Sequence, residues 1–174
     1  MKKVLIIISL LVLCGCYGST PTKEVENYFT KYQTKPEEML NDIERIVDFT
    51  NYSDKQKEEQ LNIIKNNYQN LEYTIKNEEV NANKAIVTVE INVYDYNKSL
   101  IESLEYRDNY IGEFMSDGYY DESKYIDYKI DKLKQVSDKI KYTLNIGLTR
   151  IDNKWYIDDL SKEYLEKING VYKY

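Results

Sequence analysis

The sequence predicts an α+β domain in which N-terminal helices pack on an antiparallel sheet and a helical insertion separates two of the strands. Three observations carry this. Apolar residues recur at steps of three and four between positions 21 and 71. They alternate with polar residues over 71–96 and again over 140–157, and helical spacing returns over 99–138.

A leader precedes the domain. Lys2 and Lys3 form a positive n-region, and Val4 to Leu13 form an aliphatic h-region holding only Ser9 as a polar residue. The stretch is too short to span a bilayer as a helix, which takes about 20 residues. Leu13-Cys14-Gly15-Cys16 follows and resembles a bacterial lipobox, with Cys14 where Ala or Ser is commoner. The motif implies cleavage between Gly15 and Cys16, with Cys16 the lipid acceptor. A core helix would show a polar face, and a cleaved leader without lipid would show an Ala-x-Ala-like site; neither is present. The expected chain is thus a signal peptide over 1–15, a lipidated Cys and tether over 16–20, and one domain over 21–174. The tether reaches about 14 Å at 3.3–3.6 Å per residue, so the domain is expected close to the membrane surface.

Composition narrows the function. Loss of Lys2 and Lys3 with the leader takes the formal charge from -6 to -8, since 24 Lys+Arg become two fewer against 30 Asp+Glu. An acidic domain beside an anionic bilayer needs its acyl chains to stay there, and two chains are the stable case. The same charge makes nucleic acid a poor partner. The chain has 2 Cys and 0 His. Only Cys16 would survive maturation, which excludes disulfides, Cys/His zinc sites, Ser-His-Asp triads and a His general base; no cofactor is expected. The 19 Tyr read as codon bias of an AT-rich genome before they read as a binding surface.

The elements follow in order. Pro21, after Ser19 or Thr20, starts a first helix with Val25, Tyr28, Phe29 and Tyr32 on one side. Pro36-Glu37-Glu38 starts a second, striped by Met39, Leu40, Ile43, Ile46, Val47 and Thr50, its acids complementing the helix dipole. Ser53 to Gln56 form a capping box for a third, carrying Leu61, Ile64, Tyr68 and Leu71. Leu71, Tyr73 and Ile75 begin a strand, a turn rich in Asn and Glu follows, and Val87, Val89, Ile91 and Val93 share one face of the next strand. The insertion is expected to line Leu100, Leu104, Ile111 and Phe114 on one face, break at Asp117-Gly118, and line Ile126, Ile130 and Leu133 on the other piece. Its Tyr119, Tyr120, Asp121 and Glu122 read as a solvated turn or as a binding tip. Ile140, Tyr142, Leu144, Ile146 and Leu148 face inward from a long strand, and Asp152-Asn153 makes a type I′ turn. Counting outward from that turn sets Ile151 against Lys154, Arg150 against Trp155, Leu148 against Ile157 and Ile146 against Asp159.

Three N-terminal helices, an antiparallel sheet and the closing run Lys154-Trp155-Tyr156-Ile157-Asp158-Asp159 resemble the nuclear transport factor 2-like fold, and more closely its export lipoproteins in Gram-positive bacteria. The likeness covers most of 20–170. It implies a cone of helices on a curved sheet, with relatives that include isomerases and dehydratases and many lipoproteins of no assigned activity.

Three function classes follow. The first is a membrane-anchored, non-catalytic module for an unknown protein or small ligand. The second is a small-molecule isomerase- or dehydratase-type enzyme, with Asp159 as carboxylate base and Tyr142 as donor on the core face. The third is a protein-binding protective or envelope-complex lipoprotein, which would show an exposed apolar or Tyr-rich patch on the insertion. Trp155, the only Trp, and Arg150 across from it read as structural.

Overall fold

The computed structural model describes residues 19–173; the leader, Gly15 and Cys16 lie outside the described residues. Thr20 caps α1 (Pro21–Thr34) by accepting a hydrogen bond from the Lys23 N–H, and the helix buries Val25, Phe29 and Tyr32. The next segment, Pro36–Arg45, is a 3-10 helix and not the α-helix the spacing predicts. Lys35 offers it no side-chain cap, and the tighter winding lines up Pro36 and Met39, both buried, on the core side. The capping box at Ser53 and Gln56 forms as expected and opens α2 (Asp54–Gln69).

Four antiparallel strands, β1 (Glu72–Asn81), β2 (Lys84–Tyr94), β5 (Lys139–Ile151) and β6 (Lys154–Ile157), lie in the order β1-β2-β5-β6. The predicted alternation is realised. Val87, Val89, Ile91 and Val93 from β2 and Leu144, Ile146 and Leu148 from β5 have no exposed surface and face the helices. β1 runs further than its apolar residues suggest. A bulge between Ile75 and Asn77 lets the Asn- and Glu-rich segment stay paired to β2 as a solvated edge, and the turn falls at Ala82-Asn83. Asp152 and Asn153 take φ of 48° and 62°, and Ile151–Lys154, Arg150–Trp155 and Leu148–Ile157 pair as counted.

The two ends of this sheet differ. Both hairpin turns lie at one end, where the Thr22 N–H bonds Glu78 and Ser19 lines an open groove with Trp155 and Tyr156. At the other end, beyond the Tyr94–Lys139 pair, the chain leaves the sheet. Asp95 caps α3 (Tyr96–Asn109), a short 3-10 turn follows, β3 (Met115–Ser116) and β4 (Tyr119–Tyr120) form a small hairpin across Asp117-Gly118, and α4 (Glu122–Lys134) returns. The helical insertion therefore starts three residues earlier than predicted and contains a hairpin the spacing did not show. Phe114 is buried, but Leu104 and Ile111 are exposed, because the second half of α3 meets α4 through Ser103, Tyr106 and Arg107, with Tyr106 stacked on Tyr128 and Arg107 over Tyr125.

Ile126, Ile130 and Leu133 of α4 pack with Ile63 of α2 and with Tyr96 in a second apolar cluster. Gln56, 3% exposed, ties α4 to α2: its amide donates to the Ser123 carbonyl, the Ser123 hydroxyl and Asp127. The capping residue thus also holds the insertion. The C-terminal α5 (Lys162–Ile168) closes the structure. Buried Asn67 accepts from the Tyr94 N–H and donates to the Ile168 carbonyl, and the Tyr68 hydroxyl donates to Asn169. Gly170 has φ +68°, and a Cβ there would lie 1.9 Å from the Tyr94 carbonyl oxygen, so this close approach admits only glycine.

Candidate functional site

The residues singled out in the sequence do not converge. Asp159 is exposed, because β6 ends at Ile157 and the predicted pairing with Ile146 does not form. The chain turns off at Asp158, whose N–H donates to the Gly147 carbonyl and whose carboxylate accepts from Thr149. Tyr142 does face the helix side, half buried, with Tyr172 edge-on at 6.0 Å between ring centres and the Lys167 ammonium 5.9 Å from its ring. An aromatic shelf of this kind and an exposed acid beyond a strand end make no acid–base pair. Trp155 is 8% exposed, and the Arg150 guanidinium lies 5.8 Å from its ring, itself exposed and donating to Asn153.

The concave site lies elsewhere, under the insertion. A partly open cleft of about 240 Å³ runs between α2, α3, α4, the 46–52 segment and the residues after α5. Its apolar walls include Ile46, Val47, Ile63, Leu100, Leu133 and Val171, and no strand residue lines it. The 46–52 segment is shaped locally. Asp48 accepts from both the N–H and the hydroxyl of Thr50, which makes a turn, and Asn51 donates to Glu122 at the start of α4.

Four polar residues line the cleft. Asp48 stands at its exposed edge, and the two Thr50 bonds, the hydroxyl first, hold its carboxyl below the usual range. Tyr52 is pushed up to about 12, first by burial and then by the Glu122 and Asp48 charges; its phenol stays protonated and can only donate or accept hydrogen bonds near neutrality. Lys129 rises from α4 with its ammonium 5.0 Å from the Tyr52 ring centre and 5.8 Å from that of Tyr125. Burial lowers its pKa, partly offset by Glu122. Gln60, 8% exposed, lines the cleft, and its Oε1 is closed to solvent with no hydrogen-bond partner among the described residues. Asn169 and Tyr96 also line it, but their polar atoms are engaged by Tyr68, Leu165 and Ile63.

Comparison with known proteins comes to little. No family model matches the chain, and no curated protein matches it. Among solved structures it is similar to the candidate lipoprotein YcdA of Bacillus subtilis, at 16% identity and a TM-score of 0.50 over 90% of this chain. The chain spans 49% of the length of that protein. A likeness at this identity shows the fold alone. It agrees with an α+β layer of helices on a four-stranded antiparallel sheet.

Among the described residues no group of three or more Asp, Glu or Cys is arranged to hold a metal, and no helix is long and apolar enough to cross a membrane. The cleft was not legible in the sequence. Gln60 and Lys129 sit among polar helix residues at no distinctive spacing, and Tyr52 and Val171 lie in connecting segments.

Proposed function

We propose that this chain is a lipoprotein held at the extracytoplasmic face of the cell membrane by acylated Cys16, and that it acts there as a non-catalytic binding module of the nuclear transport factor 2-like kind. The lipobox after a short h-region supports the anchor. The lipoprotein description of the structurally similar YcdA agrees with it, and the likeness of helices on an antiparallel sheet supports the fold reading. The observation that supports binding over catalysis is that the acid–base candidates do not converge: Asp159 lies exposed beyond the end of β6, and Tyr142 is half buried on the helix side of β5. Labelling cells with an alkyne fatty acid should mark the wild-type chain in the membrane fraction and leave Cys16→Ala unmarked. Equal labelling of the two rejects the anchor.

A second reading, binding of a protein by the insertion, draws on one observation. Ile101, Leu104, Tyr110, Ile111, Tyr119 and Tyr120 are all exposed large side chains, with Tyr119 at 79%, and all belong to the insertion. A photo-crosslinking residue at position 119 should join a defined partner in intact cells, while the same residue at position 143, on the polar outer face of β5, should not.

A further inference from the structure

Among the described residues, the exposed large apolar side chains fall into two groups. One belongs to the insertion. The other is Val80, Ile86, Ile151 and Tyr156, each about half exposed and each within three residues of the Ala82-Asn83 or Asp152-Asn153 turn. The register shows how confined this second group is. Along the outer face of β2 and β5, Ile86 is followed by Thr88, Glu90 and Asn92, paired with Asn145, Thr143 and Lys141. That face is polar until it nears the turns, where Ile86, Ile151 and Tyr156 lie. Single exposed apolar residues are ordinary on a protein surface, but a set gathered at the tips of two hairpins marks a contact.

Position and chemistry say what it meets. Ser19 lies beside Trp155 and Tyr156, and the three residues of chain from Cys16 to Ser19 reach at most about 11 Å. An acylated Cys16 therefore keeps this end of the sheet within reach of the headgroups. Tyr side chains favour the boundary between headgroups and acyl chains, and exposed aliphatic side chains gain by burial there. Lys84, Arg150 and Lys154 stand at this end with Glu79, Asp152 and Asp158, so the charges offset and no excess of cations draws it to anionic lipid. We infer that the hairpin end of the sheet is a lipid-contacting surface, with Ile86, Ile151 and Tyr156 entering the headgroup layer and Val80 at its rim. The domain is then seated on the bilayer and not merely tethered to it. This inference rests on the reading of Cys16 as acylated and adds to it the protein's own contact with the membrane.

The test places a fluorophore on the full chain, purified from membranes and reconstituted into phosphatidylcholine vesicles that carry a nitroxide on the headgroup. Acylation leaves Cys16 without a free thiol, so the dye goes to Lys154→Cys at the hairpins, Thr143→Cys on the middle of the outer face, or Tyr119→Cys on the insertion. Quenching at position 154 should exceed that at 143 and 119 by at least about threefold. The combined change Ile86→Ser, Ile151→Ser and Tyr156→Ser should bring position 154 down to the level of 143 with Trp155 emission unchanged, the sign of a folded hairpin. Should that emission change, Ile151→Asp alone is read in its place. Replacing phosphatidylcholine with phosphatidylglycerol should alter the quenching by less than about twofold. Equal quenching at 154 and 143 overturns the inference, and so does quenching at 154 that the apolar substitutions leave in place, since the tether alone then accounts for it. Quenching confined to phosphatidylglycerol overturns it as well. Fatty-acid labelling of Cys16 is read on the same preparation. A chain that labels but quenches alike at all positions overturns the surface and not the anchor, and one that quenches at 154 without labelling overturns the anchor and not the surface.

Discussion

The sheet and the insertion are built on different principles. The inner face of β2 and β5 is aliphatic without exception from Ala85 to Val93 and from Leu144 to Leu148, and its register is locked because a slip of one residue would turn every one of those side chains to solvent. The insertion packs through a separate, smaller apolar cluster, Ile126, Ile130 and Leu133 against Ile63 and Tyr96, and is also fastened by directed polar contacts: Gln56 to Ser123 and Asp127, Asn51 to Glu122, and Lys134 to Glu59. One half is specified by area, the other by a smaller area together with a few bonds. A fold can keep the first while varying the second.

The comparison is broken most severely from the sheet side. Trp155→Ala should cost about 3–5 kcal/mol in denaturant melts, the usual range for truncating a buried Trp. A variant that melts like wild type would show that the β5–β6 hairpin is not part of the core. Gly170→Ala comes next, at about 1–3 kcal/mol from backbone strain, because the added methyl meets the Tyr94 carbonyl and pushes apart the seam where the insertion leaves the sheet.

A sharper distinction comes from Gln56→Ala. It removes a helix cap and three bonds to α4, so a loss of about 1–2 kcal/mol is expected. The informative readout is local. Amide exchange should accelerate in α4 and leave β2 and β5 protected, and equal acceleration in both would mean that the two halves unfold as one. Arg150→Ala should cost less, about 0.5–1 kcal/mol, as for an exposed cation–π contact.

The smallest effect is a pH dependence. Glu59 is held below its ordinary 4.5, chiefly by the hydrogen bond from Lys134. A depressed carboxylate contributes stability that is present above its unfolded pKa and is lost as pH falls through the folded value. Exchange in α4 should therefore quicken relative to β5 only below about pH 4.5, and Glu59→Gln should remove that difference. Because Lys134 is exposed and Glu59 partly so, the change is expected to be slight.

How far the sequence could be read follows the same division. The faces of β2 and β5 and the hairpin at Asp152-Asn153 were legible because period and turn chemistry act within a few residues of one another. The fate of Asp159 was not: parity carries an alternating pattern onward, and nothing in Trp155-Tyr156-Ile157-Asp158-Asp159 announces that the pairing stops after the Asp158 N–H bonds the Gly147 carbonyl. Nor was the second role of Gln56, whose place in a capping box accounts for only one end of its amide. The cleft is a still more distant product, since Asp48, Gln60, Lys129 and Val171 meet only after the insertion has folded back on α2.

The opposite placement of the two ends of the sheet has a consequence for reach. Ser19, three residues after Cys16, lies beside the hairpin turns, whereas the insertion begins at the far end of β2. Eleven residues of β2, at about 3.3 Å each, separate the two levels by about 35 Å. A chain moored at Cys16 would therefore stand on its hairpins like a short mast. The lipid would hold the foot, and the cleft and the exposed tyrosines would be carried clear of the headgroups toward solutes and neighbours in the envelope.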